Sequence, residues 1–310
     1  MRILLIGCSG FIGEELIPKL VNEKHELCVI SRRNINDLKC KNLIEKINFL
    51  KIDLSKEKNW ENQNLINYLK KSEGIINFAG EPIADKRWTE GQKKVIESSR
   101  INTTKYLMDN LKKLKISPKV IINGSAIGYY GTSLDKEFDE SNPPGDDFLA
   151  KLCTKWEEAA LKKPLFTRLV ILRIGIVLGP NGGALGKMLP IFRIGLGGPI
   201  GEGNQWLSWI HRSDLCSIIN TALINNQFKG TYNAVAPEPA RMKDFSNVLA
   251  KCLKRPNLLP VPGIILNLLL GDSAKLVLEG QKVKSINLKN NLPKFKYPHL
   301  EKALSSLTMK

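Results

Sequence analysis

The sequence has few of the residues that mark metal centres or disulfide frameworks. It contains three histidines and six widely spaced cysteines, without a Cys-x-x-Cys pair, among its 310 residues. This spacing predicts neither a metal site nor a dense set of disulfides, and it is typical of reduced, buried thiols. We therefore expect a cytoplasmic protein that binds no metal.

The sequence also lacks an apolar run long enough to cross a membrane. Its most apolar stretch, Ile264 to Leu270, ends at Gly271, whereas a spanning helix needs ~20 residues. The first apolar run, Ile3 to Ile6, is too short for the core of a signal peptide. We expect the 264–270 segment to form a buried helix, and we expect no membrane contact.

Acidic residues are scarce relative to basic ones. The chain carries 47 Lys and Arg against 30 Asp and Glu, a formal net charge of +17. Such an excess attracts nucleotides, nucleic acid or anionic membranes. The lysines are nevertheless scattered, and runs such as Lys112-Lys113 are short, which indicates a solvated basic surface and no nucleic-acid site. The expected partner is a small-molecule substrate, and both a monomer and a homodimer stay open.

Apolar runs that predict buried strands alternate with segments of helical periodicity in the first part of the chain. Helical spacing covers residues 65–69 and 96–114. The predicted strands are Ile3–Ile6, Leu27–Ile30, Phe49–Ile52, Gly74–Phe78, Lys119–Asn123 and Leu169–Arg173. Strands that are apolar throughout and joined by helices form parallel sheets covered on both faces. The sequence thus predicts an α/β protein with a Rossmann-type, doubly wound parallel sheet.

The pattern changes after Gly179-Pro180. Residues 181–206 are rich in glycine and proline, which indicates a loop with a short helix near Leu185–Phe192. The stretch from Ile218 to Leu223 predicts a helix that rejoins the main body, and prolines frame further helices after position 237. We predict a Rossmann-type domain over residues 1–180, to which about 207–235 return, and a smaller C-terminal lobe over 181–310.

Three glycines follow the first predicted strand and open a helix. In a dinucleotide site, Gly7 would permit the tight turn, Gly10 would let the pyrophosphate approach the backbone, and Gly13 would allow close helix–strand packing. The helix N-terminus would offer free N–H groups and a positive dipole end to phosphates. Pro18 lies within this predicted helix and should kink or shorten it. The residues between the last two glycines that would share in binding are Phe11 and Ile12.

No acidic residue stands at the end of the second predicted strand. An NAD site usually places Asp or Glu about 20 residues past the glycines, where it binds the ribose 2′-hydroxyl. Here the strand ends in Ser31-Arg32-Arg33. A hydroxyl and a guanidinium bind a 2′-phosphate, which a carboxylate would repel. The sequence therefore favours NADP(H) over NAD(H), with simple solvation of the two arginines as the alternative.

Further candidates follow the carboxyl ends of later strands, where such sheets bind ligands. The pair Asp53-Leu54 follows the third predicted strand and is expected to cover the adenine. Small residues after the fourth strand would let the cofactor pass, and Gly124-Ser125 after the fifth would lie beside the nicotinamide. The residues after the fourth strand are Phe78, Ala79 and Gly80.

Several motifs together resemble an atypical extended short-chain dehydrogenase/reductase of the epimerase-like branch. Besides the glycine turn they are the segments 77–83, 98–100, 124–131, 197–201, 209–214 and 279–283. The resemblance implies an NADP-binding domain with a C-terminal lobe over a substrate cleft. It also implies cofactor contacts from Ser31, Arg32, Phe78, Ala79, Arg100 and Val177.

The sequence lacks the Tyr-x-x-x-Lys pair that serves as acid/base in ordinary members of that superfamily. The expected positions hold Phe148 and Leu152, which have neither a proton to give nor a charge. Ser125 could hydrogen-bond a substrate carbonyl, with Tyr129 or Tyr130 as the substitute acid, and His211 with Asp214 is expected to be structural. Two hypotheses stay open: an NADP-dependent oxidoreductase or epimerase acting on a small polar substrate, such as a sugar-like one, or a non-catalytic NADP(H) sensor or scaffold.

Overall fold

The computed structural model describes residues 1–288 and 294–308. Its strands are β1 (Arg2–Ile6), β2 (Glu26–Ser31), β3 (Ile47–Lys51), β4 (Gly74–Asn77), β5 (Val120–Ala126), β6 (Glu137–Phe138), β7 (Arg168–Ile174), β8 (Ile176–Leu178), β9 (Trp206–Leu207), β10 (Trp209–His211), β11 (Gly230–Ala234), β12 (Ala240–Arg241) and β13 (Lys282–Val283). Its helices are α1 (Gly13–Asn22), α2 (Gln63–Lys71), α3 (Glu90–Lys113), α4 (Phe148–Leu161), α5 (Gly183–Arg193), α6 (Arg212–Ile224), α7 (Met242–Leu253), α8 (Gly263–Leu270), α9 (Lys275–Leu278) and α10 (Leu300–Thr308).

Seven of these strands form one sheet in the order β11-β7-β5-β4-β1-β2-β3, and every neighbouring pair is parallel. The strand order reverses between β1 and β4, which is where doubly wound sheets bind ligands. Ile6 pairs with both Ile30 and Asn77. The carboxyl ends of β1, β2 and β4 therefore meet at one place, and the predicted Rossmann-type fold is confirmed.

Helices cover both faces of the sheet. Because successive strand residues point to opposite faces, Leu5 packs in a cluster with Leu16 of α1 and Ile219 of α6, whereas Leu4 packs with Leu65 of α2 and Leu107 of α3. The apolar strands are thus buried on both sides, as the parallel arrangement requires.

A third apolar cluster lies beyond the main sheet. It joins Phe192 of α5, Phe245 of α7 and Leu304 of α10 around the buried Trp209. The β13 strand pairs with β6, which ties the late chain back to the segment before α4. The division into two domains at residue 180 stays a prediction.

Two expectations about helices fail. The 264–270 segment is helical, but Ile264 is 83% and Leu268 is 76% exposed, so the prediction of a buried helix is wrong. A run that is apolar at every position except Asn267 has no periodicity from which its burial can be inferred. The α1 helix continues through Pro18 to Asn22, so the proline does not end it there. No helix in the described ranges is long and apolar enough to span a bilayer.

Candidate cofactor site

The turn between β1 and α1 needs glycine at two of its three glycine positions for packing. Gly7 has φ +75°, and a Cβ there would lie 2.5 Å from the Cα and N of Ala79. A Cβ at Gly13 would overlap the carbonyl oxygen of Cys8. A Cβ at Gly10 would meet no atom within 4 Å. Gly10 therefore lies at an open face of the turn, where a phosphate can reach the backbone.

The first turn of α1 has no side-chain cap and has a counter-charge for its acidic residues. No side chain caps the helix at Ile12, although the Glu14 and Glu15 amides already donate to the Gly10 and Ile12 carbonyls, at 3.0 and 3.2 Å. Arg212 of α6 donates to Glu15 at 2.9 Å, to Glu14 at 3.2 Å and to the Phe11 carbonyl at 3.0 Å. No sequence pattern indicates this pairing, because almost two hundred residues separate the partners. Arg212 neutralises two carboxylates that would otherwise repel a phosphate.

The end of β2 is joined to the glycine turn and to the segment after β4. The Ser31 hydroxyl lies 2.7 Å from that of Ser9 and accepts from the Arg33 amide. The Arg32 guanidinium forms a 2.8 Å ion pair with Glu81, which Lys86 also contacts at 3.3 Å. The hydrogen bond from Arg32 is the main reason why the pKa of Glu81 is lowered. Arg32 thus lies where the 2′-phosphate was predicted, but it is already held by a carboxylate.

Arg100 of α3 lies directly against Gly80. A Cβ at Gly80 would lie 2.8 Å from the guanidinium carbon of Arg100. The guanidinium donates to the Ile96 carbonyl at 3.2 Å and lies 5.5 Å from the Trp156 ring centroid. Among the described residues it has no ion-pair partner, and burial lowers its pKa to about 10. A partly buried cation without a carboxylate, next to the end of β4, suits an anionic ligand.

The remaining predicted contacts shape the edges of the site. Asp53 follows the end of β3, and its carboxylate accepts from both the amide and the hydroxyl of Ser55. Leu54 is buried, and its carbonyl accepts from Trp60. Val177, on β8, is half-buried and packs against the first core cluster. The carboxylate of Asp53 is thus engaged in its own turn.

A buried amide pair fixes the ends of β4 and β5. Asn77 donates to the Asn123 side-chain oxygen and to the Thr104 hydroxyl, both at 2.8 Å, and Trp156 donates to the same hydroxyl at 2.9 Å. These residues are satisfied and buried. They hold Phe78 beside Gly124, where a Cβ would lie 3.0 Å from the Phe78 ring. A polar network of this kind gives the two strand ends one defined geometry.

Ser125 and Tyr130 are connected through a buried ion pair. The Ser125 hydroxyl donates to Glu157 at 2.6 Å, and Glu157 accepts two hydrogen bonds from Arg173, at 2.9 and 2.8 Å. Arg173 also donates to the Tyr130 hydroxyl at 2.9 Å, which in turn donates to Asn233 at 2.8 Å. Burial raises the pKa of Tyr130 to about 12, although Arg173 opposes this shift. No motif in the sequence indicates a role for Glu157 of α4 or Arg173 of β7.

The places of the missing Tyr and Lys are filled by apolar packing. Leu152 is buried beside Trp88, and the Phe148 ring lies 5.3 Å from that of Trp88. Lys151 is exposed. None of these three α4 positions therefore brings an acid/base group to the carboxyl end of β5.

His211 and Asp214 do not form a pair. His211 Nδ1 accepts from the Ser213 amide and so caps α6, while burial lowers its pKa to about 4. Asp214 accepts from the amides of Lys296 and Tyr297. Both side chains thus hold elements together, as their structural interpretation predicts.

Comparison with known proteins decides the family. Residues 3–235 match the NAD dependent epimerase/dehydratase family. The chain belongs to this family. Residues 261–307 match a domain of unknown function, DUF1731, so the family assignment covers the sheet and its site whereas α8 and α10 lie in the second match.

Relatives in this epimerase family match over almost the whole chain. The chloroplastic epimerase family protein SDR39U1 homolog of Arabidopsis thaliana is 39% identical over 99% of this chain and 86% of its own. Epimerase family protein SDR39U1 of Mus musculus is 36% identical over 99% of both chains. The resemblance to an epimerase-like extended short-chain dehydrogenase/reductase is confirmed.

Solved structures agree. The crystal structure of human epimerase family protein SDR39U1 with NADPH superimposes with a TM-score of 0.86 and 34% identity over 99% of both chains. UDP-glucuronic acid 4-epimerase from Bacillus cereus, in complex with NAD, has a TM-score of 0.75 at 18% identity, over 98% of this chain and 96% of that one. The second similarity shows the fold alone.

Proposed function

We propose that this chain binds NADP(H) at the carboxyl ends of β1, β2, β4 and β5 and exchanges hydride with a small polar, sugar-like substrate, as an oxidoreductase or epimerase. The observation that carries the cofactor assignment is Arg32 at the end of β2, beside Ser31 and the open face of Gly10. A guanidinium and a hydroxyl at this place suit a 2′-phosphate. The NADPH in the human relative's structure supports the same assignment.

The residues present fit the cofactor. Gly10 leaves the backbone open to the pyrophosphate, Arg212 offsets the acids of α1, and Arg100 offers an unpaired cation beside Gly80. When bound, NADP(H) supplies or accepts a hydride at its nicotinamide ring. The proposed cofactor contacts are Gly7, Gly10, Phe11, Ile12, Gly13, Ser31, Arg32, Asp53, Leu54, Phe78, Ala79, Gly80, Arg100 and Val177.

On the substrate side, we propose Ser125 and Tyr130 as the hydrogen-bonding and acid/base groups. With its pKa raised to about 12, the Tyr130 phenol is protonated at neutral pH and would act as the proton donor when a substrate carbonyl is reduced. Arg173, 2.9 Å from the phenol oxygen, would stabilise the phenolate that remains after donation. Glu157 orients the Ser125 hydroxyl.

A second candidate is a non-catalytic NADP(H) sensor or scaffold. It is favoured by the apolar packing of Phe148 and Leu152 against Trp88, which replaces the usual acid/base pair. It is also favoured by the burial of Ser125 and Tyr130, which are each about 3% exposed and already hydrogen-bonded.

One experiment separates the two candidates. Purified protein is incubated with NADPH and a panel of small carbonyl compounds, including oxidised sugars, and the absorbance of NADPH is followed. The enzyme hypothesis predicts consumption that is lost in Ser125→Ala and Tyr130→Phe but kept in Tyr106→Phe, a matched control on α3. Tight binding of NADPH without consumption across the panel would support the sensor instead.

We also propose a cytoplasmic location. All six cysteines are free, and burial raises the pKa of the Cys8 and Cys28 thiols to about 12 each. Buried, protonated thiols without disulfides are typical of a reducing compartment. Labelling of intact cells with a fluorescent fusion of the full chain tests this proposal.

A further inference from the structure

Part of the surface formed by α5, α8 and the segment before α8 is apolar. Ile264, Leu268 and Leu258 are 83, 76 and 76% exposed. Exposed apolar side chains that occur singly need no explanation, but a contiguous group marks an interaction site. We call this group the apolar patch; it consists of Ile191, Ile194, Leu196, Leu258, Leu259, Ile264, Ile265, Leu268 and Leu269.

The apolar patch is one surface, because its segments are in contact. A Cβ at Gly195 would lie 3.6 Å from Pro256, and one at Gly198 would overlap the Leu259 carbonyl. Ile200 forms a bridge with Val261, just before α8. The end of α5 and the chain leading into α8 are therefore adjacent.

Basic residues predominate along the segments that form the apolar patch. Residues 183–201 and 245–271 contain no Asp or Glu, although Glu202, Asp244 and Asp272 lie directly beside these ranges. Arg193, Lys254 and Arg255 are exposed, and within the described ranges none of them forms an ion pair. The one lysine of α5, Lys187, is neutralised by Asp85 at 2.9 Å. Apolar side chains flanked by unpaired cations match a surface that is anionic outside and apolar beneath.

We propose that the apolar patch binds the surface of an anionic phospholipid bilayer. The eight residues of α8 are too few to span a bilayer. Because α8 carries no charged residue, its apolar side chains would enter the headgroup–acyl boundary while Arg193, Lys254 and Arg255 attract the anionic headgroups. A second copy of this chain on the same patch would bring like charges together, which disfavours that occupant. The expectation of no membrane contact rested on short apolar runs, scattered lysines and a buried 264–270 helix, and the exposure of α8 removes the last of these grounds.

The test uses the full chain and two kinds of vesicle, phosphatidylcholine alone and phosphatidylcholine mixed with phosphatidylglycerol, in a co-sedimentation assay. The proposal predicts binding to the mixed vesicles that is at least roughly tenfold tighter than to the neutral ones and that weakens as salt is raised. Absence of binding to the mixed vesicles at low salt would overturn it.

Two double variants locate the contact. Ile264→Ser with Leu268→Ser changes only exposed side chains of α8, so the fold should persist, and vesicle binding should fall at least roughly tenfold. Leu165→Ser with Phe166→Ser is the matched control. These two apolar residues are 82 and 86% exposed, and they lie shortly after Lys162 and Lys163 in the sequence. It should leave binding unchanged.

Three results would contradict the proposal. Equal losses in both double variants would mean that the apolar patch is not the binding surface. Unchanged binding in the α8 variant would mean the same. A concentration-dependent dimer in analytical ultracentrifugation, without vesicle binding and abolished by the α8 variant, would identify a second copy as the occupant.

Discussion

Arg32 and Glu81 form a 2.8 Å ion pair that joins the end of β2 to the segment after β4. The Arg32 side chain is 45% exposed, whereas that of Glu81 is 14% exposed and is also contacted by Lys86. Because Lys86 also contacts Glu81, the Arg32 guanidinium can exchange this carboxylate for a phosphate without leaving Glu81 unpaired. Glu81 and the proposed 2′-phosphate therefore compete for the Arg32 guanidinium.

Replacing Arg32 should separate the two cofactors. In Arg32→Ala, NADPH affinity should fall at least roughly tenfold while NADH affinity changes less than about twofold, since only NADPH carries the 2′-phosphate. Isothermal titration calorimetry with both cofactors measures this. Arg33→Ala is the matched control, because Arg33 is exposed and adjacent. Equal losses for NADPH and NADH would show that Arg32 does not bind that group.

Removing the charge of Glu81 should have the opposite effect. In Glu81→Gln the Arg32 guanidinium loses its ionic partner, so NADPH affinity should rise by roughly threefold to tenfold. NADH affinity should stay the same. A fall in NADPH affinity would mean that Glu81 helps to hold Arg32 in place and does not compete for it.

Gly13 and Gly10 lie in one turn, but we expect Gly13 to be needed for stability and Gly10 for NADPH binding. Gly13→Ala should destabilise the fold by ~1–3 kcal/mol, because its Cβ would overlap the Cys8 carbonyl. Gly10→Ala should leave stability within ~0.5 kcal/mol of wild type, because its Cβ meets nothing within 4 Å. NADPH binding should nevertheless weaken in Gly10→Ala. Urea unfolding and calorimetry test the pair, and a destabilised Gly10→Ala with normal NADPH binding would contradict the assignment.

His211 should make stability fall in weak acid. Its pKa is lowered from 6.5 to about 4 in the folded chain, mainly by burial. The unfolded chain therefore takes up this proton first, and the contribution of neutral His211 is full above pH 6.5 and is lost as the pH falls toward 4. The loss amounts to at most ~3 kcal/mol.

The measurement is urea unfolding of wild type and His211→Asn between pH 7 and 4. Asparagine keeps a side-chain cap on α6 but does not titrate. The difference in unfolding free energy between the two proteins should shrink as the pH falls, and a constant difference would contradict the lowered pKa.

Six of the seven strands of the sheet could be predicted from the sequence because each contains a local apolar run, whereas β11 (GTYNA) has no such run and was not predicted. The predicted Leu27–Ile30 lies within β2, and Gly74–Phe78 covers β4. Burial of α8 could not be predicted, because eight residues without polar spacing indicate a helix but not what it contacts. The two-residue strands β6 and β13 pair across more than a hundred residues and leave no local pattern.

Only those residues of the candidate site that directly follow a predicted strand could be predicted from the sequence. Gly7, Gly10, Gly13 and Arg32 are placed by the order of strand and turn. The partners that decide their charge come from distant segments: Glu81 from 49 residues away and Arg212 from 197 residues after Glu15. Residues that only the fold brings together have no fixed spacing in the sequence, so no sequence pattern identifies them.

The cofactor assignment is tested most directly by calorimetric titration of the wild-type protein with NADPH and with NADH at physiological salt. The position of Arg32 directly after the end of β2 predicts NADPH binding at least roughly tenfold tighter than NADH binding. Folded protein that gives no heat with either dinucleotide, or that binds NADH as tightly as NADPH, would contradict it.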